Sequence, residues 1–206
     1  MDGKIQRYTA GDRAAHWAVA FSFLLLVLTG LGFFVKKLSF LFALFGGGEN
    51  ALLIHKYAGI VFFIAGMRFF LTHWKATSTF DEDDKAWIKV MGGYLNKKAE
   101  VPPMGMFNTG QKIFGITALA VALVSLATGL VLWTPASAPQ GLAQVSFLVH
   151  SLCFVVLANF FIAHLYLGVV GVDGSLGAMM SGRVSEAWAK KFAPKWHEEL
   201  KKAGKI

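Results

Sequence analysis

An all-α, polytopic membrane protein with four transmembrane helices is the fold class this sequence predicts, and three observations predict it. Of the 206 residues, 55% are hydrophobic, with 19 Phe and 6 Trp, and the mean hydropathy is +0.54, too apolar for a soluble domain of this size. Four separate apolar stretches each reach the ~20 residues needed to cross a hydrocarbon core. The Lys and Arg residues gather beside those stretches, which explains the net charge of +8 by membrane topology rather than by nucleic-acid binding. One cysteine, Cys153, excludes an internal disulfide, and in an apolar run it reads as a small packing group.

The first span is expected over residues 14–35. A basic segment precedes it, but no small-x-small cleavage site follows, so it reads as a retained helix rather than a signal peptide. The second is expected over 51–71. The third, 113–133, holds no charged residue, and the fourth, 145–172, carries His150 and His164 among its few ionisable side chains. Residues 1–206 read as one integral membrane domain, without an internal repeat. All but Lys36, Lys37 and Lys56 of the 20 Lys and Arg residues fall in the N-terminal tail, the C-terminal tail, or the segment between spans two and three with its flanks. The positive-inside rule then places both termini in the cytoplasm of a prokaryotic inner membrane.

Ionisable residues are rare inside membrane spans and are by default candidates for function. His16, His55, His150 and His164 are of this kind. On one helix, His150 and His164 are separated by ~21 Å of rise and lie within ~40° of the same face. With the N-terminus inside, His16 and His164 lie towards the cytoplasmic side, and His55 and His150 towards the outer side. Two level-matched imidazole pairs result. Zinc needs three or four protein ligands, and these depths offer no Asp or Glu. Iron in a porphyrin needs only two axial ligands. The reading is therefore two b-type haems, each with two histidines, in a bundle whose role is electron transfer, since six-coordinate iron has no open position. No C-x-x-C-H sequence exists for covalent attachment.

Gly30, Gly59, Gly115 and Gly129 are expected either to admit a flat macrocycle or to mediate helix packing. Lys56, Lys36, Lys37, Arg13 and Arg68 are candidates for haem propionates or for snorkelling. His73 reads as a water-exposed interfacial residue and His197 as solvated in a charged tail. The run Asp81-Glu82-Asp83-Asp84 reads as a solvated loop. Asn108 and Gln111, with Gly110 between them, suit a quinone carbonyl and equally suit a helix cap.

Several segments resemble the cytochrome b (gamma) subunit of membrane-bound respiratory formate dehydrogenases. They are Asp12-Arg13-Ala14-Ala15-His16-Trp17, Ile54-His55-Lys56-Tyr57-Ala58-Gly59, and Asn108-Thr109-Gly110-Gln111-Lys112. His150 with His164, and the tail from Gly182-Arg183-Val184-Ser185 to Pro194-Lys195-Trp196, belong to the same likeness, which covers nearly the whole chain. The Asn-x-Gly-Gln-Lys element and the tail are more specific than the histidines, which related hydrogenase-type b cytochromes share. The resemblance implies a four-helix bundle with two b haems, ligated by His55 and His150 on the outer side and by His16 and His164 on the inner side. It implies an outer iron–sulfur partner subunit, and a molybdenum or tungsten subunit that oxidises formate. Electrons would pass from outer to inner haem and on to a quinone, usually menaquinone, at Asn108, Gly110 and Gln111 near His164. Lys56 departs from the Pro common after this histidine in the family. The rival readings are an anchor of a nickel–iron hydrogenase or another molybdenum enzyme, a structural anchor without haem, and a transporter with histidine relays. The lack of intramembrane Asp or Glu counts against the last.

Overall fold

A computed structural model describes residues 3–96 and 98–206. Lys97, one of the basic residues used to orient the chain, lies outside the described residues. Nine α-helices and two short strands are present among the described residues. In chain order they are β1 (Lys4–Gln6), α1 (Ala10–Phe34), α2 (Gly48–Thr72), α3 (Trp74–Ser78), α4 (Glu82–Lys89), α5 (Thr109–Trp133), α6 (Gln140–Tyr166), α7 (Ser175–Ser181), β2 (Arg183–Ser185), α8 (Glu186–Phe192) and α9 (Pro194–Lys202). A 3-10 helix, Lys36–Phe45, joins α1 to α2, and a π-helix, Leu167–Gly171, continues α6.

Four helices are long and apolar enough to cross a membrane: Ala10–Phe34, Gly48–Thr72, Thr109–Trp133 and Gln140–Gly171. They coincide with the four expected spans but start three to five residues earlier. The apolar window marks the hydrocarbon layer, whereas the helix itself begins at a polar cap. At α1 the cap is reciprocal. Thr9 N donates to Asp12 Oδ2 at 2.9 Å, and Asp12 N donates to Thr9 Oγ1 at 3.1 Å.

The chain divides into two compact units. One comprises Ala14–Phe69 and Ala118–Leu165, the apolar lengths of the four long helices. Its interior is built from aromatic side chains: Phe23 of α1 lies 5.6 Å from Phe62 of α2 and 5.2 Å from Phe161 of α6, ring centre to ring centre. Many outward-facing Leu, Ile, Val and Phe side chains are exposed, among them Phe21, Ile64, Leu130 and Ile162. A helix apolar all round suits a lipid surrounding.

The other unit comprises Met1–Arg13, Phe70–Thr117 and Tyr166–Ile206. Here the two terminal segments meet: β1 pairs antiparallel with β2, with Ile5 opposite Val184. In an otherwise helical chain, this three-residue ribbon joins the N- and C-terminal tails. Arg7 lies beneath the ribbon with its guanidinium against Trp188, Tyr8, Trp196 and Phe107, at 4.6 to 6.0 Å from the ring centres.

Candidate cofactor site

The unit formed by the four long helices brings together the four histidines singled out from sequence. The ring centres of His16, on α1, and His164, on α6, are 6.0 Å apart. Those of His55, on α2, and His150, on α6, are 6.2 Å apart. Two axial bonds of ~2 Å, plus ~1.1 Å from each ring centre to its nitrogen, span ~6.2 Å. Each pair thus leaves the space of one metal centre between its rings. The rings are inclined at 47° and 61°, which axial ligation permits because two rings on a common axis can take any relative rotation. No group of three or more His, Cys, Asp or Glu side chains able to hold a metal ion exists among the described residues. A donor set of two imidazoles per level fits a metal whose other four ligands come from a macrocycle.

Hydrogen bonds define the tautomers of one pair. Thr29 Oγ1 gives its proton to Leu25 O at 2.6 Å, so it accepts from His55 Nδ1 at 2.8 Å. Thr128 Oγ1 gives its proton to Val124 O at 2.8 Å and accepts from His150 Nδ1 at 3.1 Å. Ser125 O, which can only accept, lies 3.0 Å from the same nitrogen. Both rings therefore carry the proton on Nδ1 and keep the lone pair on Nε2, the form that ligates a metal. His16 differs: its Nδ1 is buried without a hydrogen-bond partner among the described residues.

Sequence reasoning missed these threonines. Their signal is a repeated Thr-Gly pair, Thr29-Gly30 on α1 and Thr128-Gly129 on α5. A methyl group at Gly30 would lie 3.6 Å from His55 Cε1, and one at Gly129 would lie 3.2 Å from His150 Cε1. Gly129 thus makes room for the His150 imidazole, whereas at Gly30 the contact would be an ordinary one. Gly59 faces Leu26, and Gly115 packs against Thr77 and Phe70. Of the candidate cations, Lys56 donates to Trp133 O at 3.1 Å, closing the end of α5. Arg13 donates to Met180 O at 2.7 Å, while Lys36 and Lys37 are exposed.

In the other unit, Asn108 and Gln111 cap α5 reciprocally. Asn108 Oδ1 accepts from Gln111 N at 2.9 Å, and Gln111 Oε1 accepts from Asn108 N at 3.0 Å. Of the two roles open to these residues, capping is the one their oxygens fill; each amide keeps two N–H donors. Gly110 packs under Trp87, whose Cη2 would lie 2.8 Å from an added methyl.

Three sequence expectations are corrected in this unit. The run Asp81–Asp84 is not a solvated loop. Asp81 and Asp84 form the capping box of α4, and Asp84 is 1% exposed. Its carboxylate accepts from Lys112 Nζ at 2.7 and 2.9 Å and from Thr109 Oγ1 at 2.8 Å. His73 is largely buried, edge-on to Tyr8 and Phe107, with Nε2 3.6 Å from Asp12 Oδ1. His197 is 4% exposed and lies 3.1 Å from Glu186 Oε1. For Asp84 and His73 the contacts come from segments distant in sequence, Thr109 and Lys112 for the first and Tyr8, Asp12 and Phe107 for the second.

Comparison with known proteins agrees with this arrangement. The family model described as prokaryotic cytochrome b561 matches residues 7–182. The nitrate-inducible formate dehydrogenase cytochrome b556(Fdn) subunit of Escherichia coli is 33% identical, over 93% of this chain and 89% of its own length. The formate dehydrogenase cytochrome b556(fdo) subunit of Escherichia coli is 32% identical over 96% and 94%. The formate dehydrogenase cytochrome b556 subunit of Haemophilus influenzae is 28% identical over 96% and 84%. A match across most of the chain, together with four long apolar helices, establishes that this protein belongs to the prokaryotic cytochrome b561 family, whose cofactor is b-type haem.

Proposed function

We propose that the protein is the membrane-anchoring electron-transfer subunit of a formate dehydrogenase complex. It would take electrons from an iron–sulfur partner subunit and deliver them to a quinone. The names of its relatives favour formate dehydrogenase over a hydrogenase or another molybdenum enzyme as the complex. Formate oxidation is assigned to a separate molybdenum or tungsten subunit of that complex.

The spacing of the paired imidazoles, 6.0 and 6.2 Å, carries the reading. On that spacing His55 and His150 hold one b-type haem, and His16 and His164 hold a second. Bound there, haem would supply the one-electron chemistry of the transfer. The chain holds the rings at fixed separation, presents Nε2 of His55 and His150 as lone-pair donors, and excludes water with aromatic side chains.

The quinone is assigned to the start of α5, at Asn108, Gly110 and Gln111. The amide N–H groups left over from the cap are suitable donors to a quinone carbonyl. The distribution of Lys and Arg favours an inner-membrane orientation with both termini cytoplasmic. Quinone reduction on that side, usually of menaquinone, would consume cytoplasmic protons, and charge movement across the membrane would contribute to the proton-motive force.

His164→Ala in the purified complex tests the assignment. The variant is expected to lose the inner haem and formate-to-quinone turnover while keeping the outer haem, seen as half the reduced b-type absorbance. Retention of both haems would show that His164 is not a ligand.

A further inference from the structure

We propose that the two Thr-Gly pairs, Thr29-Gly30 and Thr128-Gly129, lower the reduction potential of the His55–His150 level and thereby set the direction of electron flow. The inference rests on the two-haem reading above and goes beyond it by assigning residues to the potential difference between the levels.

The geometry is repeated on two helices. Each threonine commits its hydroxyl proton to a backbone carbonyl one turn back on its own helix. It therefore meets an imidazole as an acceptor, Thr29 at 2.8 Å from His55 Nδ1 and Thr128 at 3.1 Å from His150 Nδ1. Thr29 is 0% exposed, so no water competes for that bond. Beside Thr128 the following glycine provides the room. At Gly129 a methyl group 3.2 Å from His150 Cε1 would press on the ring that Thr128 and Ser125 O hold. An acceptor on Nδ1–H shifts electron density towards Nε2 and makes the imidazole a more basic ligand. A more basic axial ligand stabilises ferric over ferrous iron, so the potential falls; hydrogen bonding beyond the ligands is one of the protein's means of tuning haem.

The other level lacks this arrangement at His16, whose Nδ1 is buried without a hydrogen-bond partner among the described residues. Its imidazole is the weaker donor, and the haem it holds is expected at the higher potential. Electrons then run downhill from the His55–His150 level to the His16–His164 level.

Optical redox titration of the purified complex, followed in the b-type absorbance, tests this without relying on turnover. The intact protein should show two midpoints. Thr29→Val keeps the side-chain volume and removes the acceptor. It should raise the lower midpoint by the equivalent of about tenfold in the redox equilibrium, ~59 mV for a one-electron couple, and leave the upper one unmoved. Thr29→Ser should restore the original value. In Thr128→Val, where Ser125 O still accepts from His150, the lower midpoint should rise by a smaller amount. This second variant decides the matter if Thr29→Val fails to hold haem. In His164→Ala the remaining haem should titrate at the lower of the two original midpoints. An unmoved lower midpoint in the valine variants, or a remaining haem at the upper midpoint in His164→Ala, overturns the proposal. Two coincident midpoints in the unaltered protein also overturn it but leave the two-haem reading standing. Fewer than two haems per chain would overturn that reading itself.

Discussion

Asp84 shows how far a single residue departs from the impression its sequence neighbours give. It stands in a run of four carboxylates, which by composition belongs in water. Folding instead places its carboxylate against Lys112 and Thr109 at the start of α5, with its remaining capacity used by Asp81 N. A buried pair is costly to break on one side, because the remaining charge is left without a partner, and removing one member typically costs ~3–5 kcal/mol. Asp84→Ala is therefore expected to lower the thermal stability of the purified protein by about that amount. Adding Lys112→Met should recover part of the loss, since both charges are then gone; strictly additive losses would show that the two residues do not act as a pair. The burial of Asp84 and His73 was not legible in sequence because each depends on a segment brought from far along the chain. The acceptor role of Thr29 was hidden for the same reason, since it becomes visible only when α1 faces α2.

Among the elements, the long helices were legible because hydropathy alone sets a length of ~20 residues. The first turns of α1 and α5 were not, because two reciprocal caps, Thr9 with Asp12 and Asn108 with Gln111, fix those helix starts outside the apolar windows. A further contact ties α9 to the start of α4: Lys195 Nζ lies 2.5 Å from Asp81 Oδ2 and 2.6 Å from Asp83 Oδ2. The hydrogen bond from Lys195, helped by the Asp84 backbone and opposed by burial, holds the Asp81 carboxyl at about 2. Burial pushes the Lys195 ammonium down, but its hydrogen bonds to Asp81 and Asp83 outweigh that and raise it. A lowered carboxyl contributes above its unfolded value of ~3.9 and ceases to as pH falls through the folded value. A raised ammonium contributes below its unfolded value of ~10.4 and ceases to as pH rises through the folded value. The tether is thus intact between about pH 4 and 10. Both groups are partly exposed, which limits the effect to ~0.2–1 kcal/mol. Amide exchange in Pro194–Lys202, corrected for intrinsic rates, should lose up to a few-fold in protection between pH 4 and pH 2. A flat profile would remove the tether from the account.

For the whole molecule, the pairing of β1 with β2 holds the two terminal segments to each other. The even number of crossings gave each histidine an expected depth, and in the structure the rings of His16 and His164, and those of His55 and His150, lie as neighbours. One helix, α6, supplies a ring to each pair and so fixes the separation of the two levels. What sequence could not supply was the environment that distinguishes them, because the hydrogen-bond acceptors lie on α1 and α5 rather than beside the histidines. The central claim is that these two pairs each hold a haem, and haem stoichiometry tests it most directly. A haemochrome assay against protein concentration on the purified chain in its complex should return two b-type haems per chain; a value of one, or none, would contradict the account.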